Sequence, residues 1–226
     1  MWAQASYPNQ IRPLPLSAPG VPRYENREIP CGVPSCAPLI QHELLKAVRE
    51  RMPSVYNHAA REIGLTVSRT QELIERRVEI ISSARAIRLA RLIALEPNSH
   101  AVFGEAGHNL FDEMRRDFPL LARASMRTLP APLRIRLAMA WARSVSHGFA
   151  GSLSRILTDH DRHKISLSLR SGVFADRLDT LGGAHEYYRN VLKVALNELA
   201  RVDCEIKEVR RPSVYLNQCN FEIKWQ

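Results

Sequence analysis

The side chains in this 226-residue chain best able to do chemistry are its histidines, its four cysteines and several arginines set at helical spacing. His147, within SVSHGFAGS, stands where a helical pattern gives way to an extended one. Such junctions often rim ligand sites, so His147 could act as an axial ligand or proton donor; the commoner use of a junction histidine is a bond to nearby backbone. His108, in FGEAGHNLF, can pair with Glu105 one helical turn away or simply wet a helix face. His160 and His163, in TDHDRH, have the composition of a metal cluster and equally that of a solvated hairpin turn. Cys31 and Cys36, in CGVPSC, resemble half of a zinc site, but no second close Cys or His pair completes it, and two incidental thiols is the plainer reading. Cys204 and Cys219 fall on neighbouring predicted strands, both turned inward, where they could touch as packed thiols. Arg85, Arg88 and Arg91 share one helix, and Arg134, Arg136 and Arg143 share another. If those helices flank one groove, their guanidinium forks would neutralise acidic groups of a ligand; otherwise they are solvated.

Several chemistries are excluded by what is missing. The ten glycines are scattered, and Gly182–Gly183 lacks the third glycine of a dinucleotide-binding turn. There is no GxxxxGK[ST] loop and no HExxH pair. A stand-alone dehydrogenase, reductase or NTPase is therefore not expected, and neither a catalytic residue nor a metal ligand is assigned.

Composition is that of a globular chain with a real core: 45% hydrophobic and 24% charged. No apolar run approaches the roughly 18 residues of a membrane span. The N-terminus lacks the basic-then-apolar layout of a secretory signal, so reduced thiols and a cytoplasmic location are expected. The net charge of +9 draws the protein to anions, either a carboxylate-bearing ligand or an acidic surface. Without a run of five or more Lys/Arg, nucleic acid is not the expected partner.

The elements that must position these residues follow from periodicity. Residues 1–37 carry Pro8, Pro13, Pro15, Pro19, Pro22, Pro30 and Pro34, a density that defeats helix and sheet and predicts an extended or disordered arm. Residues 38–226 then form one domain. Helices are predicted from Leu39 to Met52, from Ser54 to a stop at Gly64, along a single run from Ser68 to Leu95, and from Asn98 to before Pro119. A short helix spans Leu120–Leu129. Another runs from Pro132 to about Ser146, with Leu133, Leu137, Ala140 and Trp141 on its core face. After Gly148 the period becomes two: strands are predicted over Phe149–Leu157 and Lys164–Leu169, around a turn from Thr158 to His163. An amphipathic helix from Ala184 to Arg201 and two alternating strands, Val202–Lys207 and Cys219–Trp225, complete the chain. The fold class is α+β: N-terminal helices, then a four-stranded antiparallel sheet with a crossing helix.

Four pieces of this chain together resemble a known family. VFGEAG (102–107), TLPAPLRIRLAMAWARSVSHGFAGS (128–152), AHEYYRNVLKVAL (184–196) and CNFEIKW (219–225), in that order, are similar to the 4-vinyl reductase domain, whose relatives include bacteriochlorophyll 4-vinyl reductase-type proteins of bacteriochlorophyll biosynthesis. The match covers about half the chain, Val102 to Trp225. Cysteines that many relatives carry are replaced here by Ala184 and Arg211, and of that set Cys219 remains. The resemblance implies a fold like that of haem-nitric-oxide-binding and TRAPP-subunit domains.

What the resemblance implies for function is binding of a hydrophobic, carboxylate-bearing tetrapyrrole such as a Mg-porphyrin or chlorophyllide, with no covalently held cofactor. With no nucleotide signature, the expected role is a carrier or accessory factor in bacteriochlorophyll synthesis, working beside Mg-chelatase or other pigment enzymes, with a homodimer as one assembly. The alternatives are a true divinyl-chlorophyllide reductase using an external electron donor, and a small-ligand sensor or scaffold module of the same fold. His147, Phe149, Trp141 and Tyr188 are the expected pocket residues, in an oily cavity between the late helices and the sheet.

Overall fold

The computed structural model describes residues 38–76, 83–116, 118, 120–151, 154–161, 163–170, 174, 184–209 and 218–225. The proline-rich arm and the Cys31/Cys36 pair lie outside them. The described chain runs α1 (Pro38–Arg51), α2 (Pro53–Glu62), α3 (Val67–Arg76), α4 (Ser83–Ala94), α5 (Ser99–Arg115), α6 (Leu120–Met126), α7 (Ala131–Ser144) and α8 (Ser146–Ala150). Then come β1 (Arg155–His160), β2 (Lys164–Arg170), α9 (Ala184–Ala195), β3 (Cys204–Glu208) and β4 (Gln218–Trp225). The α+β layout expected from periodicity is the one observed.

The sheet order is β1-β2-β4-β3, every neighbour antiparallel. Alternation sets the register of the two central strands. Ile165 pairs with Ile223, Leu167 with Phe221 and Leu169 with Cys219, so one face of both strands is buried throughout. On the other side of that core lie α5 and α9. Val102, Phe103, Ala106, Leu110, Phe111 and Met114 give α5 a buried stripe, and α9 answers with Tyr187, Tyr188, Val191 and Leu192. These helices approach closely at Gly107, where a Cβ would stand 2.4 Å from the Tyr187 carbonyl oxygen. Only glycine admits that spacing. One apolar cluster joins the helical layer to the sheet.

Four expectations need correction. The residues from Phe149 do not open a strand: 146–150 form the helical turn α8, and β1 begins at Arg155. Phe149 and Ala150 are both buried, which a half-buried strand cannot achieve at successive positions, and Gly151 at φ 106° redirects the chain. Thr158, Asp159 and His160 belong to β1, paired with Leu167, Ser166 and Ile165, so the turn is confined to 161–163. Polar residues suit β1 because it is an edge strand with little to bury. The run expected over 68–95 is helical in its described parts, α3 and α4, and 77–82 lie outside the described residues. The last helix does not stay α-helical: after Ala195 it widens into a π turn, Leu196–Ala200, closed by Arg201 in the left-handed region (φ 51°).

The core face of α7 also differs. Leu133 and Leu137 are 45% and 46% exposed, whereas Ile135, Ala138, Met139 and Ala142 are buried. Two apolar stripes run along this helix, and periodicity alone cannot choose between them. The alanine-bearing stripe packs against the π turn, since small side chains allow the closer approach.

Candidate functional site

Of the four expected pocket residues, Phe149 and Tyr188 stand at the seam where α5, α8 and α9 meet, Trp141 lies among the helices on α7, and of His147 only its place in α8 is described. Phe149 and Tyr188 are 1% and 0% exposed, inside the core. The Tyr188 hydroxyl accepts the Phe174 backbone N–H at 2.9 Å. Phe174 packs edge-on against Phe103 and Tyr187, at centroid distances of 6.0 and 5.0 Å. Trp141 is half-buried on α7, edge-on to Phe111 and Phe118 at 6.0 and 5.6 Å. His147 belongs to the α8 turn, beside Phe149 in sequence. Segments distant in the chain thus converge: Gly107 of α5 meets Tyr187 of α9, while α8 packs on α9. The seam is filled by aromatic side chains rather than open.

The other histidines show what the seam offers a ligand. His42 is buried and already engaged at both ring nitrogens, by Glu43 Oε1 at 2.7 Å and by the Ile74 carbonyl oxygen. His108 lies on the exposed side of α5, 3.6 Å from Asp112 rather than paired with Glu105, which bonds Arg51 instead. His185, not singled out by sequence, ties α9 to the sheet. Its Nδ1 is 3.3 Å from both Cys219 Sγ on β4 and Glu208 Oε1 on β3. With Cys219 1% exposed, this trio fastens the N-terminus of α9 rather than presenting a nucleophile. Its signal was the AHEYY motif itself, whose histidine periodicity reads only as helix surface.

Cys204 and Cys219 are both buried, yet they do not meet. In the register Cys204 faces Trp225 and Cys219 faces Leu169, placing the thiols near opposite ends of β4, about 20 Å apart at strand rise. Burial first, and Asp203 second, push the Cys204 thiol up to about 11. Among the described residues no group of three His, Cys, Asp or Glu is arranged to hold a metal ion.

The outer edge of the sheet carries a different kind of site. A concave groove of about 1440 Å³ runs between the start of α7, the exposed side of α9, the residues after the π turn and the β3–β4 edge. Arg134 lines it, as do Arg189, Lys193 and Arg201; the α4 arginines do not, and Arg88 of α4 pairs instead with Glu62 at 2.8 Å. His163 also borders this groove, its ring 6.2 Å from that of Trp225. His160 faces a smaller recess alongside, and burial, then Arg136, hold its pKa below the ordinary imidazole value. The two histidines thus border different recesses, His160 on the edge strand and His163 at the groove wall. No helix among the described residues is long and apolar enough to cross a membrane.

Comparison with known proteins adds the fold and stops there. No family model matches the chain, so the likeness to the 4-vinyl reductase domain rests on its motifs alone. No curated protein matches it either. Among solved structures it is similar to one from work on heme distortion in the H-NOX family, with TM-score 0.54 and 12% identity over 83% of this chain and 93% of that one. The Fe(II) unliganded H-NOX protein from K. algicida aligns with TM-score 0.53 and 12% identity, over 84% and 96%. A Cs H-NOX mutant carrying 4-cyano-L-phenylalanine aligns with TM-score 0.52 and 10% identity, again over 84% and 96%. The chain has the H-NOX fold, an arrangement in which helices precede a four-stranded antiparallel sheet.

Proposed function

We propose that this chain is a small-ligand sensor or scaffold module of the H-NOX fold, and that its ligand is a planar, carboxylate-bearing tetrapyrrole. The observation that carries the reading is convergence at one seam: Gly107, Phe149 and Tyr187–Tyr188 all stand at the contact of α5, α8 and α9, with Cys219 fastened to α9 through His185. Motifs far apart in sequence thus build one interface, in a fold shared with proteins studied for their heme. The +9 charge supports an acidic ligand.

An axially ligated haem does not fit the described residues. Such a group needs a free donor and a slot for the ring, whereas Phe103, Phe149, Phe174, Tyr187 and Tyr188 are at most 1% exposed and both His42 ring nitrogens are engaged. Binding by the ring and its acid groups is the mode these packed residues support. The tie from Tyr188 to Phe174 must open to admit it, with Phe149 and Trp141 as walls. The narrower role, carrying a Mg-porphyrin or chlorophyllide in bacteriochlorophyll synthesis, is supported by the ordered motifs.

The test is titration of the full chain with protoporphyrin, Mg-protoporphyrin and hemin, read by the Soret band and by tryptophan quenching. All three are expected to bind saturably, with affinities within about tenfold of one another. Absence of any spectral change would end the reading. Conversion of divinyl to monovinyl pigment by the pure protein with NADPH or reduced ferredoxin would replace it with the reductase.

A further inference from the structure

The groove at the β3–β4 edge holds more cations than its carboxylates neutralise. Seven Lys/Arg side chains line it, against Asp161, Asp203 and Glu205. Four of the seven already have partners: Lys164 and Lys224 share Glu222 at 2.5 and 2.9 Å, Arg189 pairs with Glu186 at 2.8 Å, and Lys207 with Glu205 at 2.9 Å. Arg134, Lys193 and Arg201 make no ion pair among the described residues.

Two features show that these cations are held at a cost. The Nε of Arg134 is shut off from solvent with no hydrogen-bond acceptor. The residue as a whole is half-buried and lines the groove, so its outer nitrogens are what an anion there would meet. Arg201 is the one described non-glycine residue at positive φ, 51°, directly after a helix end where glycine or asparagine ordinarily sits. Backbone sterics favour a residue without a Cβ there, yet the position keeps a guanidinium in the groove.

We infer that this groove binds a soluble ligand presenting a di- or triphosphate group, gripped by Arg134, Lys193 and Arg201. The three cations come from α7, α9 and the residue after the π turn, and all line the one groove. A single carboxylate offers two oxygens in one plane; a phosphate chain offers charged oxygens all round, which matches forked guanidinium donors from separate elements. Val202, Ile206 and Trp225 add apolar wall, leaving space for a body larger than the phosphates. This site is separate from the aromatic seam and does not depend on the tetrapyrrole reading.

The experiment is calorimetric titration of the full chain with inorganic tripolyphosphate, with citrate as a polycarboxylate control and anionic phospholipid vesicles as a lipid control. Tripolyphosphate is expected to saturate one site at concentrations below about 1 mM. R201G removes the guanidinium while relieving the backbone, so it is expected to melt no lower than the parent yet bind at least about tenfold more weakly. R134Q should weaken binding similarly, and R61Q, on the exposed side of α2, should leave it unchanged. Porphyrin binding by R201G should equal that of the parent. No saturable binding, equal affinity for citrate, a preference for vesicles over the soluble phosphate, or R201G binding like the parent would each overturn the inference.

Discussion

Glu222 shows how one side chain on the sheet surface manages two neighbours. It accepts hydrogen bonds from Lys164 and Lys224, and these hold its carboxyl down at about 2. A carboxyl depressed in the folded state contributes stability above its unfolded value near 4.5, and that contribution is lost as pH falls toward 2. The exposed setting screens the interaction, so the gain is modest. E222Q is therefore expected to leave the melting temperature at pH 7 little changed and to flatten its decline between about pH 4.5 and 2. Thermal melts across that range check it; parallel curves for parent and variant would show that the lysines do not hold the carboxyl.

At the scale of elements, the decisive contact is α5 against α9. Glycine inside a helix normally costs about 1 kcal/mol relative to alanine, so replacement at an open position gains stability. At Gly107 the new methyl would meet the Tyr187 backbone at 2.4 Å, and backbone cannot step aside. At Gly104 it would meet the Asn190 amide nitrogen at 3.2 Å, the end of a side chain that can shift. G107A is expected to lose about 1–3 kcal/mol in urea unfolding, and G104A to stay within about 1 kcal/mol of the parent. Equal stabilities would mean the helices are not this close. VFGEAG was recognisable in the sequence as a motif; its reason was not, because the atom that forbids a side chain at 107 lies 80 residues further along the chain.

Across the whole molecule, a single apolar cluster spans the helices and the sheet. Trp141 reports on the helical side, edge-on to Phe111 and Phe118, and Trp225 on the sheet, opposite Cys204. With Trp2 replaced by phenylalanine, variants retaining only one of these two indoles are expected to give coincident unfolding midpoints in urea. Separate midpoints would divide the core into two cooperative units.

Element type and order were legible in the residues. The alternation of Ile165, Leu167 and Leu169, and of Cys219, Phe221, Ile223 and Trp225, determined strands with one buried face, and the apolar stripes of α5 and α9 determined helices. These are local patterns, and local patterns carry through. Tertiary structure decided what depends on which element lies beside which: the buried face of α7, the separation of Cys204 from Cys219 by strand register, the His185 tie, and a groove whose cations come from α7, α9, the residues after the π turn, and strands β2, β3 and β4. Periodicity records how often a residue faces inward. The partner it meets there is set by packing between segments far apart in the chain, to which no single stretch of residues is a guide.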